Sequence, residues 1–420
     1  MLTAQDSSTI RLVAGHRFFR SAFVALFLSG IGVSATMPQL TLFLVRDLGA
    51  SLPVAGLFYL TNLAAPVAGY LVGRWSDRRD DRLVLFRLCA VVGGLGWLAM
   101  ALSTQVWMPF VISAVALSIS GASMAQLFAA VRDELSRQPS RADNRVVSMI
   151  RMAFAAGWVL GPVFGSWFGS AVGLRPLLVA AAGCTLAQLI PLGRQRVTRY
   201  VAPDPRPATA APGSRSAARR MLPLLAFTGL CVLAMTGDTI KFGYLPLYMA
   251  NELRVSDDLR GAVIAVQPLV ELALMPFFAR FADRLGPFPV LVVGMGLGTA
   301  ANLAFATSSS VSGLLVGQLL NAGLWAALGA LGVTIAQHLY PQAVGTASGL
   351  FMSAITVGSA AGGLIGALGV ASLGLPGVFY LPAALSAAAT AGLAVLGRRI
   401  RRPSPVAEPA PVTAAAASRG

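Results

Sequence analysis

Long apolar runs broken by short clusters of Arg, Asp, Gly and Pro set the pattern of this chain from about residue 20 to residue 397. A bilayer core of about 30 Å is crossed by about 20 mostly apolar helical residues. The runs have that length, which a helix in a water-soluble core does not need. They predict helices at 20–45, 53–73, 83–104, 107–131, 146–169 and 174–193, then at 221–249, 260–280, 287–306, 311–337, 342–369 and 374–397. The first run, Ser21 to Leu44, is too long for the apolar stretch of a signal peptide and lacks a convincing cleavage site, so it is expected to stay as the first helix.

Composition strengthens this reading. Of 420 residues 56% are apolar and 11% charged, against roughly 25% charged in soluble domains. The net charge of +16 would fit a nucleic-acid partner, but the arginines flank the apolar runs instead of forming one basic domain. They report topology. Of the 32 basic residues, 26 fall on the side that carries both ends of the chain and four on the other. The positive-inside rule then puts both termini in the cytoplasm and the protein in the cytoplasmic membrane. Cys89, Cys184 and Cys231 each sit inside a span, where packing rather than a disulfide framework is expected.

An Arg/Pro/Ala/Ser-rich stretch divides the chain, giving a first bundle at 1–193, a linker at 194–220, a second bundle at 221–402 and a disordered tail at 403–420. The halves echo each other. Leu42, Phe43, Asp47, Leu48, Ser51 and Gly56 answer to Leu247, Tyr248, Glu252, Leu253, Ser256 and Gly261, and Asp77-Arg78 to Asp283-Arg284, at a nearly fixed offset. With six spans between the copies, each copy keeps its orientation, the parallel-repeat arrangement of one transporter class.

The loop Gly73-Arg74-Trp75-Ser76-Asp77-Arg78-Arg79-Asp80-Asp81-Arg82 resembles the G-x3-D-R-x-G-R-R loop of the major facilitator superfamily at Gly73, Asp77, Arg78 and Arg82, with Asp80 and Asp81 departing from it. The second copy keeps Asp283, Arg284 and Gly286. The resemblance implies an all-α integral membrane protein, twelve transmembrane helices in two six-helix bundles with pseudo-two-fold symmetry, in which these loops act as a gate. In the fifth helix, Gly157, Gly161, Pro162 and Gly165 resemble the antiporter motif of exporters in that superfamily, with Ser166 where a second Gly is usual. Plain helix packing explains the same glycines.

A closer resemblance is to the Set-type sugar efflux transporters, at Leu40 to Leu44, Gly56 to Tyr59, Gln126 to Ala129 with Arg132, and Met149-Ile150-Arg151 followed by Trp158 to Pro162. It implies proton-coupled export of sugars or small glycosides. A multidrug/proton antiporter is the nearest rival, and a non-transporting membrane sensor or scaffold a more distant one.

Ionisable groups inside spans are costly and are default functional candidates. Here they are Arg151, Asp238, Lys241 and Glu271. At the bilayer midplane a carboxylate such as Glu271 is expensive as an anion and cheap as an acid, which suits a proton carrier; a structural ion pair with Arg151 or Lys241 is the alternative. Asp238 and the sole lysine, Lys241, are three apart and share a face, so they neutralise each other or break and re-form during a cycle. Arg151 snorkels to the surface or offers five donors to a ligand.

A neutral sugar asks for amides, hydroxyls and an aromatic face. Candidates are Gln39, Tyr59, Asn62, Gln126, Gln267, Asn321 and Trp325; for each alone, interhelical hydrogen bonding or an interfacial aromatic belt is the commoner role. His16 and His338 are too far apart in the topology for a metal site, and no phosphate loop of the G-x4-G-K-[ST] kind is present, so no cofactor, direct ATP drive or enzymatic activity is expected. A monomer is expected, with lipid, protons and a small-molecule substrate as partners.

Overall fold

The computed structural model describes residues 13–76, 78–137, 143–199 and 215–401. Of the expected linker, residues 200–214 lie outside the described residues, as do the tail from 403 and Asp77, whereas residues 215–220 are helical and lead into the seventh span. Among the described residues twelve helices are long and apolar enough to cross a membrane: α1 (Arg17–Asp47), α2 (Leu52–Ser76), α3 (Arg82–Ala101), α4 (Trp107–Arg137), α5 (Val146–Ala171), α6 (Leu174–Leu192), α7 (Met221–Asn251), α8 (Asp257–Leu285), α9 (Pro287–Thr307), α10 (Val311–Leu339), α11 (Pro341–Gly377) and α12 (Tyr380–Ile400). This is an all-α, multi-pass membrane protein of two six-helix bundles.

The helices form where expected, some running on past the expected ends, α4 to Arg137 and α8 to Leu285. The last was expected to begin at 374, and the helical backbone breaks there, with the straight part of α12 running from Tyr380. Gly374 has φ 64 and Leu375 φ −102, ψ 140, so the chain breaks there without any loss of apolar character. A left-handed backbone suits a residue without a Cβ.

Lipid tails are as apolar as leucine, so helices in a bilayer are held by close packing rather than by escape from water. The glycines show where. A Cβ built on Gly157 would meet the Phe27 carbonyl at 2.5 Å, one on Gly161 the Ala35 nitrogen at 2.8 Å, and one on Gly165 the Ala35 Cα at 2.8 Å, so α5 lies backbone to backbone on α1. Ser34 of α1 donates to the Gly157 carbonyl at 3.2 Å. In the second half Gly362 and Gly366 of α11 press in the same way on Thr239 (3.0 Å) and Ile240 (3.1 Å) of α7. They stand 205 residues after Gly157 and Gly161, the offset of the terminal echoes.

The halves meet on the side away from the termini. Arg46 donates to Asn251 at 3.2 Å, Ser166 to the Asp257 carbonyl at 2.6 Å and Tyr244 to the Leu52 carbonyl at 3.2 Å. Leu42 of α1 joins a core otherwise built by the second half, against which Met37, Leu52 and Trp158 also pack. Along α2 and α11 the seal ends at the midplane. Gly56 and Gly363 leave no room for a side chain, a Cβ built on Gly56 lying 3.1 Å from the Ala367 Cα and one on Gly363 2.8 Å from the Gly56 carbonyl, whereas Gly69, Gly73, Gly345 and Gly349 face open space. The cleft therefore opens towards the side that carries the termini.

Candidate functional site

At the middle of the second half a chain of polar side chains crosses three helices. Lys241 Nζ donates to Asp238 Oδ1 at 2.6 Å and to Gln267 Oε1 at 2.7 Å. Gln267 Nε2 donates in turn to Glu271 Oε2 at 2.9 Å, and Asn321 Nδ2 reaches Asp238 Oδ1 at 3.5 Å. Lys241, Gln267 and Asn321 are 2%, 5% and 5% exposed, while Glu271 is half-buried. Spacing explains much of this: Asp238 and Lys241 lie three apart on α7, Gln267 and Glu271 four apart on α8. Pro268, which has no N–H to give its helix, follows Gln267 directly.

Lys241 thus has two oxygen partners and rests 4.2 Å from the Phe242 ring centroid. Its charge is shared between Asp238 and a neutral amide, and that amide hands on to Glu271. Burying an ion pair is nearly neutral in free energy only while both partners stay together; removing one leaves an uncompensated charge that costs about 3–5 kcal/mol. Protonation of either carboxyl changes what the lysine can hold. Glu271 makes no ion pair with Arg151, which is exposed and lies with its guanidinium 5.7 Å from the Phe128 centroid.

The first half faces this chain with neutral groups. Tyr59 hydroxyl pairs with Thr41 at 3.2 Å, and a Cβ on Gly243 of α7 would touch the Tyr59 ring at 3.4 Å. Asn62 Nδ2 donates to Ser359 of α11 at 2.8 Å, a bond between the halves. Gln126 is 5% exposed and its Oε1 has no partner. Gln39 is buried towards Gly169 at the outer end of α5. Trp158 makes an edge contact with Phe242 (centroids 6.3 Å) and its indole nitrogen is buried without a partner. Asn321 and Trp325, one turn apart on α10, have different surroundings: Asn321 joins the Asp238 chain, whereas Trp325 packs against the core of α7 and α9 to α12 with its indole nitrogen unpartnered.

Sequence reasoning passed over Gln318, fully buried on α10 with both side-chain polar atoms unpartnered, and Thr41, Ser359 and Trp158. Gln318 carried a signal, an amide inside a span one turn before Asn321.

The loop between α2 and α3 at the open side is held within its own half. Asp81 caps α3 by accepting from the Leu83 N–H (3.0 Å), and also accepts from the Val197 N–H (3.2 Å). Arg82 pairs with Asp133 of α4 at 2.9 Å. Residues 193–199 lie along this loop: the Arg199 N–H donates to the Asp80 carbonyl at 2.7 Å, and Arg87 to the Gly193 carbonyl at 3.0 Å. Arg78, Asp283 and Arg284 are exposed. Pro162 and Ser166 touch Gly261 of α8 across the outer seal, the Pro162 carbonyl at 2.9 Å from a built Cβ.

The sequence profile of the Major Facilitator Superfamily matches residues 22–240 and 227–418, which together span nearly the whole chain. The chain belongs to the major facilitator superfamily. This facilitator is 29% identical over 350 residues to sugar efflux transporter A of Dickeya chrysanthemi, covering 80% of this chain and 85% of that one. It is 25% identical over 373 residues to multidrug resistance protein MdtG of Proteus mirabilis (strain HI4320), covering 86% and 90%. The crystal structure of nucleoside transporter NupG matches with a TM-score of 0.73 at 13% identity, covering 92% and 100%, a likeness of fold. As a facilitator the chain is a membrane transporter of small molecules, not an enzyme.

Proposed function

We propose that this facilitator exports sugars or small glycosides from the cytoplasm in exchange for protons, as a monomer in the cytoplasmic membrane with both termini inside. The observation that carries the reading is the buried chain Asn321–Asp238–Lys241–Gln267–Glu271 facing neutral groups of the other half. Charge confined to one wall suits proton exchange, and the amide and hydroxyl groups of the other wall suit a polyhydroxyl ligand. The basic loops on the open side support the orientation, and the sugar efflux relative supports the substrate class.

In this reading the inward-open state releases a proton from Glu271 and admits substrate between Tyr59, Asn62 and Gln126 on one side and Gln267 and Asn321 on the other. The halves then rock about the midplane, separating the Ser166–Asp257 and Arg46–Asn251 contacts, while the loops at Asp77-Arg78 and Asp283-Arg284 close the inner side. Substrate leaves, a proton from outside neutralises Glu271, and the protonated protein returns. Arg151 stands on the entry side as a donor for hydroxyls.

The test is efflux from membrane vesicles under an imposed pH gradient, across a panel of sugars and glycosides. Sugars should be moved uphill and should compete with one another. Uphill movement of lipophilic cations with no competition by sugars would instead favour the multidrug reading, for which the MdtG relative speaks. No flux with any member of a broad panel would remove both.

A further inference from the structure

The outer surface of the first half contains a cavity of about 540 Å³ lined by apolar residues of α2, α3 and α4, among them Val67, Leu71 and Trp75, Leu88, and Val115. Two local departures from α-helix stand beside it: a 3-10 stretch at Phe58–Leu63 in α2 and a π-helical stretch at Ser113–Leu117 in α4, joined by a 2.8 Å hydrogen bond between Thr61 and Ser113. Below that bond α2 packs on α4 through Val72, Ala122 and Ile119 but touches α3 little, leaving Val67, Leu71, Leu88 and Val115 exposed along the groove. The groove is not part of the cleft between the halves.

Its length is informative. From Ala64, where the lining begins, to Trp75, where it ends, eleven residues of helix span about 16 Å at 1.5 Å per residue. Half of a hydrocarbon core of about 30 Å is about 15 Å. The groove is one leaflet deep and ends at the surface on the side of the termini. At that mouth Arg74, Arg78, Arg79 and Asp80 are all exposed, and the Arg79 guanidinium lies 5.5 Å from the Trp75 ring centroid. Arg82 and Asp81 are taken up by Asp133, Ser76, Leu83 and Val197, so the three arginines at 74, 78 and 79 count against Asp77 and Asp80 and leave the mouth net positive. Basic clusters at a helix end beside the bilayer attract anionic headgroups.

We propose that this groove is a binding site for an anionic phospholipid, one acyl chain lying along Val67, Leu71 and Val115 and the phosphate resting on Arg74, Arg78 and Arg79. Trp75 marks the boundary between chain and headgroup.

The experiment uses the full chain in phosphatidylcholine vesicles containing a minor fraction of either chain-brominated phosphatidylglycerol or chain-brominated phosphatidylcholine. Trp75 fluorescence is read as the difference between the wild type and Trp75→Phe. The anionic lipid should quench Trp75 about tenfold more efficiently at equal fraction. That preference should vanish in the triple variant Arg74→Gln/Arg78→Gln/Arg79→Gln and fall in Ala68→Phe, which fills the groove. Quenching of the remaining tryptophans should be the same in all these proteins, which verifies that they are folded. Equal quenching of Trp75 by the two lipids would overturn the site. So would a preference that survives removal of the three arginines, because general attraction to a chain of net charge +16 would then explain it.

Discussion

Among the described residues the middle of the first half holds neutral polar groups, Thr41 with Tyr59, Thr61 with Ser113, Asn62 and Gln126, whereas that of the second holds Asp238, Lys241 and Glu271 bridged by Gln267. Yet the halves share their packing scheme. Gly157 and Gly161 press α5 on α1 as Gly362 and Gly366 press α11 on α7, and Gly56 meets α11 as Gly261 meets α5. At the offset of 205 residues Asn62 answers to Gln267, but Val33, Thr36 and Pro66 answer to Asp238, Lys241 and Glu271. Packing constraints bind both copies equally, because each helix crossing needs its small residues. A charged network needs only one copy, and a second would double the cost of desolvation.

The sharpest way to break this contrast is to neutralise one wall at a time. Glu271→Gln should lower uphill, gradient-driven export by about a hundredfold or more while substrate counterflow without a gradient persists. Normal uphill export by that variant would mean the proton travels elsewhere. Lys241→Met should cost about 3–5 kcal/mol of stability by stranding Asp238, and adding Asp238→Asn should restore most of it, as read from thermal unfolding in detergent. A single variant as stable as wild type would show that Asp238 finds another partner or is neutral in the folded protein.

On the neutral wall the effects should be smaller and of a different kind. Asn62→Ala or Tyr59→Phe removes about 1 kcal/mol of hydrogen bonding, so each should raise the KM for export about fivefold and leave its pH profile in place. A shifted pH profile would join the two walls into one unit. Least of all, Gly69→Ala and Gly345→Ala, in open space, should stay within about 0.5 kcal/mol of wild type in unfolding. Gly363→Ala, by contrast, should favour the outward-open form, as reported by accessibility of a cysteine placed in the outer seal.

The spans and the internal repeat were legible because hydropathy and spacing determine them: a helix must be about 20 apolar residues long to cross, and Asp77-Arg78 and Asp283-Arg284 stand out against apolar surroundings. The Gln267–Glu271 and Asp238–Lys241 contacts were legible for a similar reason, since they follow from helical periodicity alone. Their union through Lys241 and Gln267 was not, because it depends on how closely α7 and α8 approach. The turn at Gly374 was legible as the start of the last expected span, whereas the role of Asp81 was hidden by its place in a loop where only deviation from a motif was visible. The glycines of α11 were legible in principle at the known offset, but the residues around them differ enough from those of α5 to mask the echo.

Lys241 also has a chemical consequence. It is the only lysine in the chain, and it is 2% exposed. Apart from the α-amino group, an acylating reagent therefore finds a single amine, at the middle of the membrane. The rate of its modification measures how often the network opens, and whether a membrane-impermeant reagent succeeds from one face or the other reports which way the cleft is open at that moment. Transport need not be observed for this: one residue, titrated covalently, records both the conformational state and the breaking of the ion pair.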